Sequence, residues 1–238
     1  MWQFLGIGAQ KAGTTWLYQN LQRHPEISFP GGKEMHFWNR PHDAAAVGRY
    51  LSTFSGGDTA CEGEITPAYA ILPVAGVAEI AHHAPALRIL YLLRNPVERA
   101  WSSALMALDR AEMEWGEASE AWFMDHFRSA GSLARGDYAR CLQGWLEHYR
   151  RDQLLVMFYD DVLRDPAAVL GEACAHLGVS PPDAHVLNDA SRRVFAGSGH
   201  ALPPRLRAFL QEVYEPRIRA LEALLDVRLP AWRQAEAT

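Results

Sequence analysis

The stretch that decides the fold lies near the start of the chain and runs Phe4-Leu5-Gly6-Ile7-Gly8-Ala9-Gln10-Lys11-Ala12-Gly13-Thr14-Thr15-Trp16-Leu17. Its first five residues are apolar or glycine, which predicts a short buried strand. A polar turn of small residues follows, and Trp16, Leu17 and Leu21 then recur at helical spacing. A strand, a small-residue turn and a helix in this order are typical of the opening of a βα unit.

Continuous apolar strands alternate with helices along the rest of the chain. Strands are predicted at 28–29, 60–65, 87–93 and 153–159, and helices at 16–22, 74–83, 97–108, 117–129, 137–150, 166–177 and 203–225. This alternation predicts an α/β fold with a central parallel sheet flanked by helices. Because ligands of such sheets bind at the carboxyl ends of the strands, the loops after strands 4–8 and 87–93 are the first candidates for a site.

The composition is that of an ordinary globular protein. Of 238 residues, 49% are hydrophobic and 21% are charged, and the formal net charge is −5. These values exclude disordered and collagen-like chains. The acidic balance argues against a nucleic-acid partner, and the length favours a single domain over residues 1–238.

Cysteine usage and hydropathy predict a cytoplasmic protein without a membrane span. No apolar run approaches the roughly 20 residues that cross a bilayer, and Met1-Trp2-Gln3 shows no basic-then-apolar signal pattern. The three cysteines, Cys61, Cys141 and Cys174, are far apart. They suggest neither a disulfide framework nor a zinc site, so no metal is predicted.

The turn after the first strand has the features of an anion site. Small residues such as Gly13 let the backbone curl, so that successive N–H groups point at one anion. The following helix adds its N-terminus, and Thr14 and Thr15 add hydroxyls. Of the 23 basic residues only Lys11 and Lys33 are lysines, which favours a need for a compact, mobile ammonium at these positions. Together these features predict a phosphate-type ligand.

Two common nucleotide motifs fit this turn poorly. A Walker A motif requires GxxxxGK[ST], but Thr14 stands in the lysine position. Arg94-Asn95 follows the strand at 87–93, where a carboxylate for Mg²⁺ would be expected. The third glycine of a GxGxxG motif would fall at Lys11. A P-loop small-molecule kinase and a plain βα turn stay open as alternatives.

Four stretches in a fixed order carry a family resemblance. They are Gln10-Lys11-Ala12-Gly13-Thr14-Thr15-Trp16-Leu17, Lys33-Glu34-Met35-His36-Phe37-Trp38, Glu64-Ile65-Thr66-Pro67-Ala68-Tyr69 and Arg94-Asn95-Pro96-Val97-Glu98-Arg99-Ala100-Trp101-Ser102. They resemble, in turn, the 5′-phosphosulfate loop and the K-E-x-H-F-F, E-K-[ST]-P-x-Y and R-[DN]-P-x-x-R-[AV]-x-S elements of sulfotransferases that use 3′-phosphoadenosine 5′-phosphosulfate (PAPS), in particular the heparan-sulfate type and its bacterial relatives. The resemblance covers about residues 4 to 232. It implies a P-loop-like sulfotransferase domain that uses PAPS, releases PAP and requires no metal.

The resemblance also implies three catalytic residues. Lys11 would hold the leaving 5′-phosphate and the bridging oxygen, and a lysine suits this task because its flexible stem can follow a moving charge. Glu34 would be the general base for an acceptor hydroxyl. If the stretch around it is extended, His36 lies on the same side and could orient Glu34 or the acceptor. A surface ion pair between Lys33 and Glu34 and a structural role for His36 are the alternatives.

The nucleotide-binding residues follow from the same resemblance. Arg94 and Ser102 would bind the 3′-phosphate. Phe195 is either a candidate to stack on adenine or a core residue. The other nucleotide-binding residues that it implies are Lys11, Ala12, Gly13, Thr14, Thr15, Trp16, Arg193 and Gly199. The region 192–200 only loosely resembles the late cofactor loop of the family.

The implied function is sulfuryl transfer from PAPS to a hydroxyl, or an amine, of a small-molecule, natural-product or carbohydrate acceptor. Ile65 stands where the family often has lysine, which favours an acceptor less anionic than a heparin-like glycan, and Glu64 is either structural or an assistant to Glu34. Met and aromatic residues between 103 and 136 form either an apolar acceptor pocket or ordinary helix contacts. The alternatives are the kinase and a non-catalytic nucleotide-binding relative. Nothing in the sequence indicates the oligomeric state.

Overall fold

The computed structural model describes residues 2–54, 56, 61–187, 190 and 199–233. Within these ranges the chain forms five β-strands and twelve α-helices. The strands are β1 (Trp2–Gly8), β2 (Ile27–Ser28), β3 (Cys61–Ile65), β4 (Arg88–Leu93) and β5 (Leu154–Phe158). The helices are α1 (Thr14–Leu21), α2 (Ala44–Ser52), α3 (Val74–His83), α4 (Pro96–Arg110), α5 (Glu120–Arg128), α6 (Ala130–Gly136), α7 (Tyr138–Leu146), α8 (Tyr159–Arg164), α9 (Pro166–Leu177), α10 (Ala184–Leu187), α11 (Pro204–Leu225) and α12 (Pro230–Arg233).

The described residues group into two compact units. The sheet unit comprises Met1–Leu93 and Gly144–Val194, and the helical unit comprises Arg94–Gln143 and Phe195–Thr238. All five strands belong to the sheet unit. The interpretation of residues 1–238 as one sulfotransferase domain stays a prediction.

The sheet unit contains one parallel sheet with the strand order β2-β3-β1-β4-β5. The central strand β1 pairs in parallel with β3 on one side and β4 on the other, so that Leu5 lies between Glu64 and Ile89. Because all pairs are parallel, the carboxyl ends of the strands share one edge. The predicted central parallel sheet flanked by helices is confirmed.

The inner strands β1, β3 and β4 are buried on both faces, as parallel sheets require, whereas the edge strands β2 and β5 are partly exposed. In β4 every residue from Ile89 to Leu93 is fully buried. One face carries a hydrophobic cluster that joins Phe4 and Leu92 of the sheet to Trp16 and Leu17 of α1 and to Leu170 of α9. This packing fixes α1 against the sheet and thereby fixes the loop that leads into it.

The helical unit is held together by a buried arginine. Arg99 on α4 is fully buried, and its Nη2 donates to the carbonyl oxygen of Ser132 (3.0 Å) and to the hydroxyl of Tyr214 (3.3 Å). These contacts link α4 to α6 and α11. No helix in the described part of the chain has the length and hydropathy needed to cross a membrane.

The predicted strands are all present, with ends shifted by at most two residues. The helix predicted at 137–150 is too long, because α7 ends at Leu146 and a turn follows in which Tyr149 donates a hydrogen bond to the carbonyl of Ala84. Helix α2 is absent from the predictions, although Asp43 caps it by accepting the Ala46 N–H (2.7 Å). An Asp before three alanines was the available signal.

Candidate active site

The loop between β1 and α1 turns tightly at the carboxyl end of the central strand. The Ala9 N–H donates to the carbonyl of Leu92 in β4 (2.7 Å), and the Ala12 N–H donates back to Ala9 (3.2 Å). Gly13 has a φ of +93°, and a Cβ atom there would lie 2.8 Å from the ring of Tyr159. Glycine is therefore required at position 13, both for the backbone conformation and for the close approach of the tyrosine.

Helix α1 begins directly after this loop, with Gly13 as its N-cap and no side chain capping it. Its first N–H groups have no partner within the helix, and its first turn contains no acidic residue. Thr14 is buried and Thr15 is half-buried. A helix N-terminus of this kind favours an anion.

The residues predicted to bind a phosphate are thus brought together, with one qualification. Lys11 is half-buried in the loop, and Ala12 is fully buried. The Trp16 indole is buried and donates to the carbonyl of Ala190 (2.7 Å). Its side chain belongs to the core, so Trp16 could serve a ligand only through its backbone amide. The glycine cradle, the lysine and the helix N-terminus fit the 5′-phosphate of a nucleotide.

Glu34 lies at the same edge of the sheet, beside a cationic pair. Its N–H donates to the carbonyl of Ile65, the last residue of β3 (3.0 Å). Lys33 Nζ forms an ion pair with Oε1 of Glu34, and His36 Nε2 lies 3.6 Å from Oε2. Since β3 is the neighbour of β1, the structure places Glu34 and the Lys11 loop at the carboxyl ends of adjacent strands.

The environment of Glu34 keeps its carboxylate charged. Partial burial acts to raise its pKa, but the ammonium of Lys33 and the imidazole of His36 outweigh this and hold the pKa of Glu34 below its ordinary value. The Glu34 side chain is 44% exposed to solvent. An accessible, unprotonated carboxylate beside a histidine is able to accept a proton.

The path of the chain around Glu34 differs from the extended strand considered above. Glu34 has a φ of +61° and His36 a φ of +55°, both in the left-handed region. The two side chains therefore meet through turns of the backbone and not through strand alternation. Hydrogen bonds to residues far along the chain impose this conformation, which the local sequence does not indicate.

Left-handed backbone conformations single out the predicted catalytic residues. Among the described residues, five that are not glycine have a positive φ: Lys11, Glu34, His36, Glu112 and Asp226. Such conformations cost on the order of 1–3 kcal/mol each and cluster at functional sites. The three residues implied as catalytic by the motifs are all among the five.

Behind Glu34 lies a second, fully buried carboxylate. Glu64 on β3 accepts hydrogen bonds from Thr66 (2.6 Å), Tyr50 (2.5 Å) and Tyr69 (3.2 Å). Burial raises the pKa of Glu64, and the three hydroxyl donors and a hydrogen bond from the Met35 backbone act against this rise. The geometry favours the structural interpretation of Glu64, because its oxygens are held by internal hydroxyls.

The neighbouring Ile65 is a core residue. It is fully buried in the cluster on the α1 face, and it packs so closely over Gly6 that a Cβ on Gly6 would lie 2.5 Å from its Cγ1. Packing therefore accounts for an apolar side chain at this position.

Arg94 and Ser102 belong to the helical unit. Asn95 caps α4 by accepting the Val97 N–H (3.0 Å), and Tyr138 donates to the carbonyl of Arg94 (2.8 Å). Arg94 Nη2 forms an ion pair with Glu98 (2.8 Å), which a phosphate would have to replace or share. Ser102 is half-buried on α4. The start of α4 is thus well fixed, with a guanidinium at its N-terminus.

The predicted late loop is only partly described. Arg193 and Phe195 lie outside the described residues. Gly199 has a φ of +77° and open space around it, and no contact there indicates a ligand. Nearby in the helical unit, the Trp115 ring stacks on His200 (4.3 Å between centroids).

Among the residues that the structure describes, no three His, Cys, Asp or Glu side chains are grouped so as to hold a metal ion.

Comparison with known proteins identifies the family. The model of the sulfotransferase domain matches residues 3–195. Human heparan sulfate glucosamine 3-O-sulfotransferase 3B1 is 31% identical over 186 residues, covering 74% of this chain and 46% of that protein. Human bifunctional heparan sulfate N-deacetylase/N-sulfotransferase 2 is 29% identical over 200 residues, covering 75% of this chain and 22% of that protein. The chain therefore spans less than half the length of these relatives.

Solved structures agree with this assignment. A sulfotransferase from Alicyclobacillus acidocaldarius superposes with a TM-score of 0.75 at 29% identity and covers 98% of this chain and 99% of its own. A mouse sulfotransferase complexed with PAP shares the fold, with a TM-score of 0.63 at 16% identity over 94% of this chain and 88% of its own. The motifs, the parallel sheet, the anion-binding turn and these matches lead to one conclusion: the chain belongs to the PAPS-dependent sulfotransferase family.

Proposed function

We propose that this protein transfers a sulfuryl group from PAPS to a hydroxyl, or an amine, of a small-molecule, natural-product or carbohydrate acceptor. The observation that carries the proposal is the placement of Lys11 and Glu34 at the carboxyl ends of adjacent strands, with Glu34 charged and paired with His36. One curated relative is named a glucosamine 3-O-sulfotransferase and another an N-sulfotransferase, which supports both oxygen and nitrogen acceptors.

Glu34 acts as the general base in this proposal. It takes the proton of the acceptor hydroxyl while the acceptor oxygen forms a bond to sulfur and the bond from sulfur to the bridging oxygen breaks. His36 stabilises the negative carboxylate before the transfer and orients it. The pKa of Glu34 is held below its ordinary value by Lys33 and His36, which favours the unprotonated form that a base requires.

Lys11 and the N-terminus of α1 stabilise the leaving 5′-phosphate. The ammonium can follow the charge that moves to the bridging oxygen, and the N–H groups of the first helical turn lie ready for phosphate oxygens. Gly13 allows the loop to approach a phosphate closely. Thr14 and Thr15 add hydroxyl donors, and Ala12 and Trp16 contribute backbone amides.

Arg94 and Ser102 bind the 3′-phosphate in this proposal. Arg94 would exchange its ion pair with Glu98 for one with the phosphate, because a guanidinium can bind two phosphate oxygens at once. A partly exposed ion pair of this kind contributes little to stability, so exchanging it costs little. Arg193, Phe195 and Gly199 stay predictions.

The proposal is tested first by thermal stabilisation with PAP, ADP and AMP, each with and without Mg²⁺. A ligand at about 100 times its Kd stabilises a fold by about 2.7 kcal/mol. A shift that needs the 3′-phosphate and not the metal is expected. A shift only with ADP and Mg²⁺ would favour the kinase.

Transfer itself is then measured with radiolabelled PAPS against a panel of acceptors. The panel contains phenols, aliphatic alcohols, aryl glycosides, amino sugars and heparan oligosaccharides. Label on at least one acceptor supports the enzyme. PAP binding without transfer to any acceptor would favour the non-catalytic relative.

A further inference from the structure

The segment that carries Glu34 and His36 has a defined path without belonging to a helix or strand. Residues 34–38 lie between β2 and α2, and two of them hold left-handed conformations. The Glu34 N–H donates to Ile65, and the Met35 backbone hydrogen-bonds to Glu64, so these two contacts fix the segment at its start. Other contacts must therefore hold the part that follows.

Tyr69 supplies those contacts. Its side chain is fully buried, and its hydroxyl oxygen accepts the N–H of Phe37 (2.8 Å) and of Trp38 (3.3 Å). The same hydroxyl donates its only proton to Oε1 of Glu64 (3.2 Å). Because a hydroxyl has one proton and two lone pairs, donation to the carboxylate leaves both lone pairs for the two amides.

Glu64 fixes the direction of that proton. It accepts from Tyr50 at Oε1 and from Thr66 at Oε2, so the side chains around it are donors. A carboxylate is an acceptor only, and therefore no neighbouring hydroxyl can reverse its role without losing its bond. Tyr50 lies on α2, directly beyond the segment, so the same carboxylate also ties down the helix that follows.

We propose that Glu64 and Tyr69 are positioning residues for the general base: the buried carboxylate orients the Tyr69 hydroxyl, which holds the amides of Phe37 and Trp38 and so keeps Glu34 and His36 in contact. The role of Glu34 as base rests on the proposed function, whereas the hydrogen-bond relay from Glu64 to Phe37 stands on the geometry alone.

Tyr69→Phe tests the relay, because it removes one hydroxyl and keeps the buried ring. Amide hydrogen exchange of Phe37 and Trp38 should become about threefold to tenfold faster, as the loss of a net hydrogen bond implies. Tyr149→Phe is the matched control. Tyr149 is also a buried tyrosine of the sheet unit, and its hydroxyl donates to Ala84 (3.1 Å), far from this segment along the chain.

The functional readouts separate positioning from general stability. In Tyr69→Phe, transfer from PAPS to the acceptor that the panel identifies should fall about tenfold in kcat, with the KM for PAPS and stabilisation by PAP unchanged. The pKa of Glu34, measured by NMR of its carboxyl carbon, should rise as contact with His36 loosens. Tyr149→Phe should alter none of these.

A double-mutant cycle tests the order of the relay. Glu64→Gln replaces one of the two acceptor oxygens with an NH₂ group that can only donate, so at least one of the surrounding hydroxyl donors loses its acceptor and exchange at Phe37 should become faster. At Phe37 and Trp38, whose amides bind Tyr69, the double variant should exchange no faster than the worse single variant. Met35, whose backbone bonds to Glu64 directly, should exchange faster in Glu64→Gln but not in Tyr69→Phe. If Glu64→Gln does not fold, exchange in Tyr69→Phe still decides the matter.

The outcomes distinguish this inference from the proposed function. Unchanged exchange at Phe37 and Trp38 in Tyr69→Phe overturns the relay whether or not the protein transfers sulfate. Equal losses of transfer activity in Tyr69→Phe and Tyr149→Phe also overturn the relay, because they indicate a general loss of stability and not a specific loss of positioning. Failure of wild-type protein to bind PAP overturns the proposed function, while faster exchange in the same preparation still supports the relay.

Discussion

The imidazole Nε2 of His36 lies 3.6 Å from Oε2 of Glu34, and Lys33 pairs with the other oxygen of the same carboxylate. Two cationic or proton-bearing groups thus flank one carboxylate at the end of β3. A surface ion pair would need only the lysine. The histidine beside the second oxygen is a further group that favours the charged form of the carboxylate, and a charged carboxylate is what a general base requires.

Removing Lys33 should shift the acidic limb of the pH–rate profile. Glu34 must be unprotonated to act, and its pKa is held below the ordinary value, so activity should fall as the pH drops through that lowered value. Lys33→Ala and His36→Ala should each move the limb to higher pH. Arg40→Ala, which removes an exposed cation near this stretch of the chain, is the control and should leave the profile unchanged.

The lowered pKa of Glu34 also predicts that this residue makes a small contribution to folding stability that is lost at acidic pH. The pKa of Glu34 is lower in the folded state than in the unfolded state. Its charged form therefore contributes to folding stability above the unfolded-state pKa, and this contribution is lost as the pH falls through the folded-state pKa. The difference in Tm between wild type and Glu34→Gln should therefore shrink at acidic pH. A difference that grows on acidification would contradict the lowered pKa.

Lys11→Ala should reduce transfer strongly. Loss of one preorganised donor to a developing anion costs about 10²–10³ in kcat. Lys11→Arg should recover little, because a planar guanidinium does not replace a compact ammonium that follows a moving charge. Steady-state kinetics with PAPS checks both variants, and near-complete recovery by arginine would argue that only net charge matters.

Gly13→Ala should destabilise the fold and abolish binding of PAP. The added Cβ would meet the Tyr159 ring, and a non-glycine residue in the left-handed region costs about 1–2 kcal/mol. Gly171→Ala is the control, since position 171 lies in helix α9 with open space around it. That variant should be neutral or gain up to about 1 kcal/mol. Thermal unfolding with and without PAP measures both.

Arg94→Ala should reduce the preference for PAP over AMP, because only PAP carries the 3′-phosphate that this guanidinium is proposed to bind. Glu98→Ala removes the present partner of Arg94 and should leave binding of PAP equal or tighter. Calorimetric titration with both nucleotides measures the ratio of the Kd for AMP to the Kd for PAP. An unchanged ratio in Arg94→Ala would remove Arg94 from the site.

Much of the fold could be predicted because the sequence patterns that indicate its strands and turns each lie within a few consecutive residues. The apolar strands around Leu5, Leu90 and Val156 each form one continuous run, and the turn around Gly13 combines glycine, lysine and threonine within a few residues. Helix α2 is not among the predicted helices, although Asp43 and the alanines after it form a local N-terminal signal.

The rest depends on contacts between distant residues. The left-handed turns at Glu34 and His36 are imposed by Ile65 and Tyr69, about thirty residues later. The burial of the Trp16 indole depends on the carbonyl of Ala190. No local pattern encodes such contacts, so sequence motifs could name these residues without giving their conformations.

The central claim is that Glu34 removes the acceptor proton, and transfer by Glu34→Gln tests it most directly. Transfer from radiolabelled PAPS should fall by about 10²–10⁴, as expected for loss of a general base, while stabilisation by PAP stays at the wild-type level. Transfer by Glu34→Gln at the wild-type rate would contradict the claim.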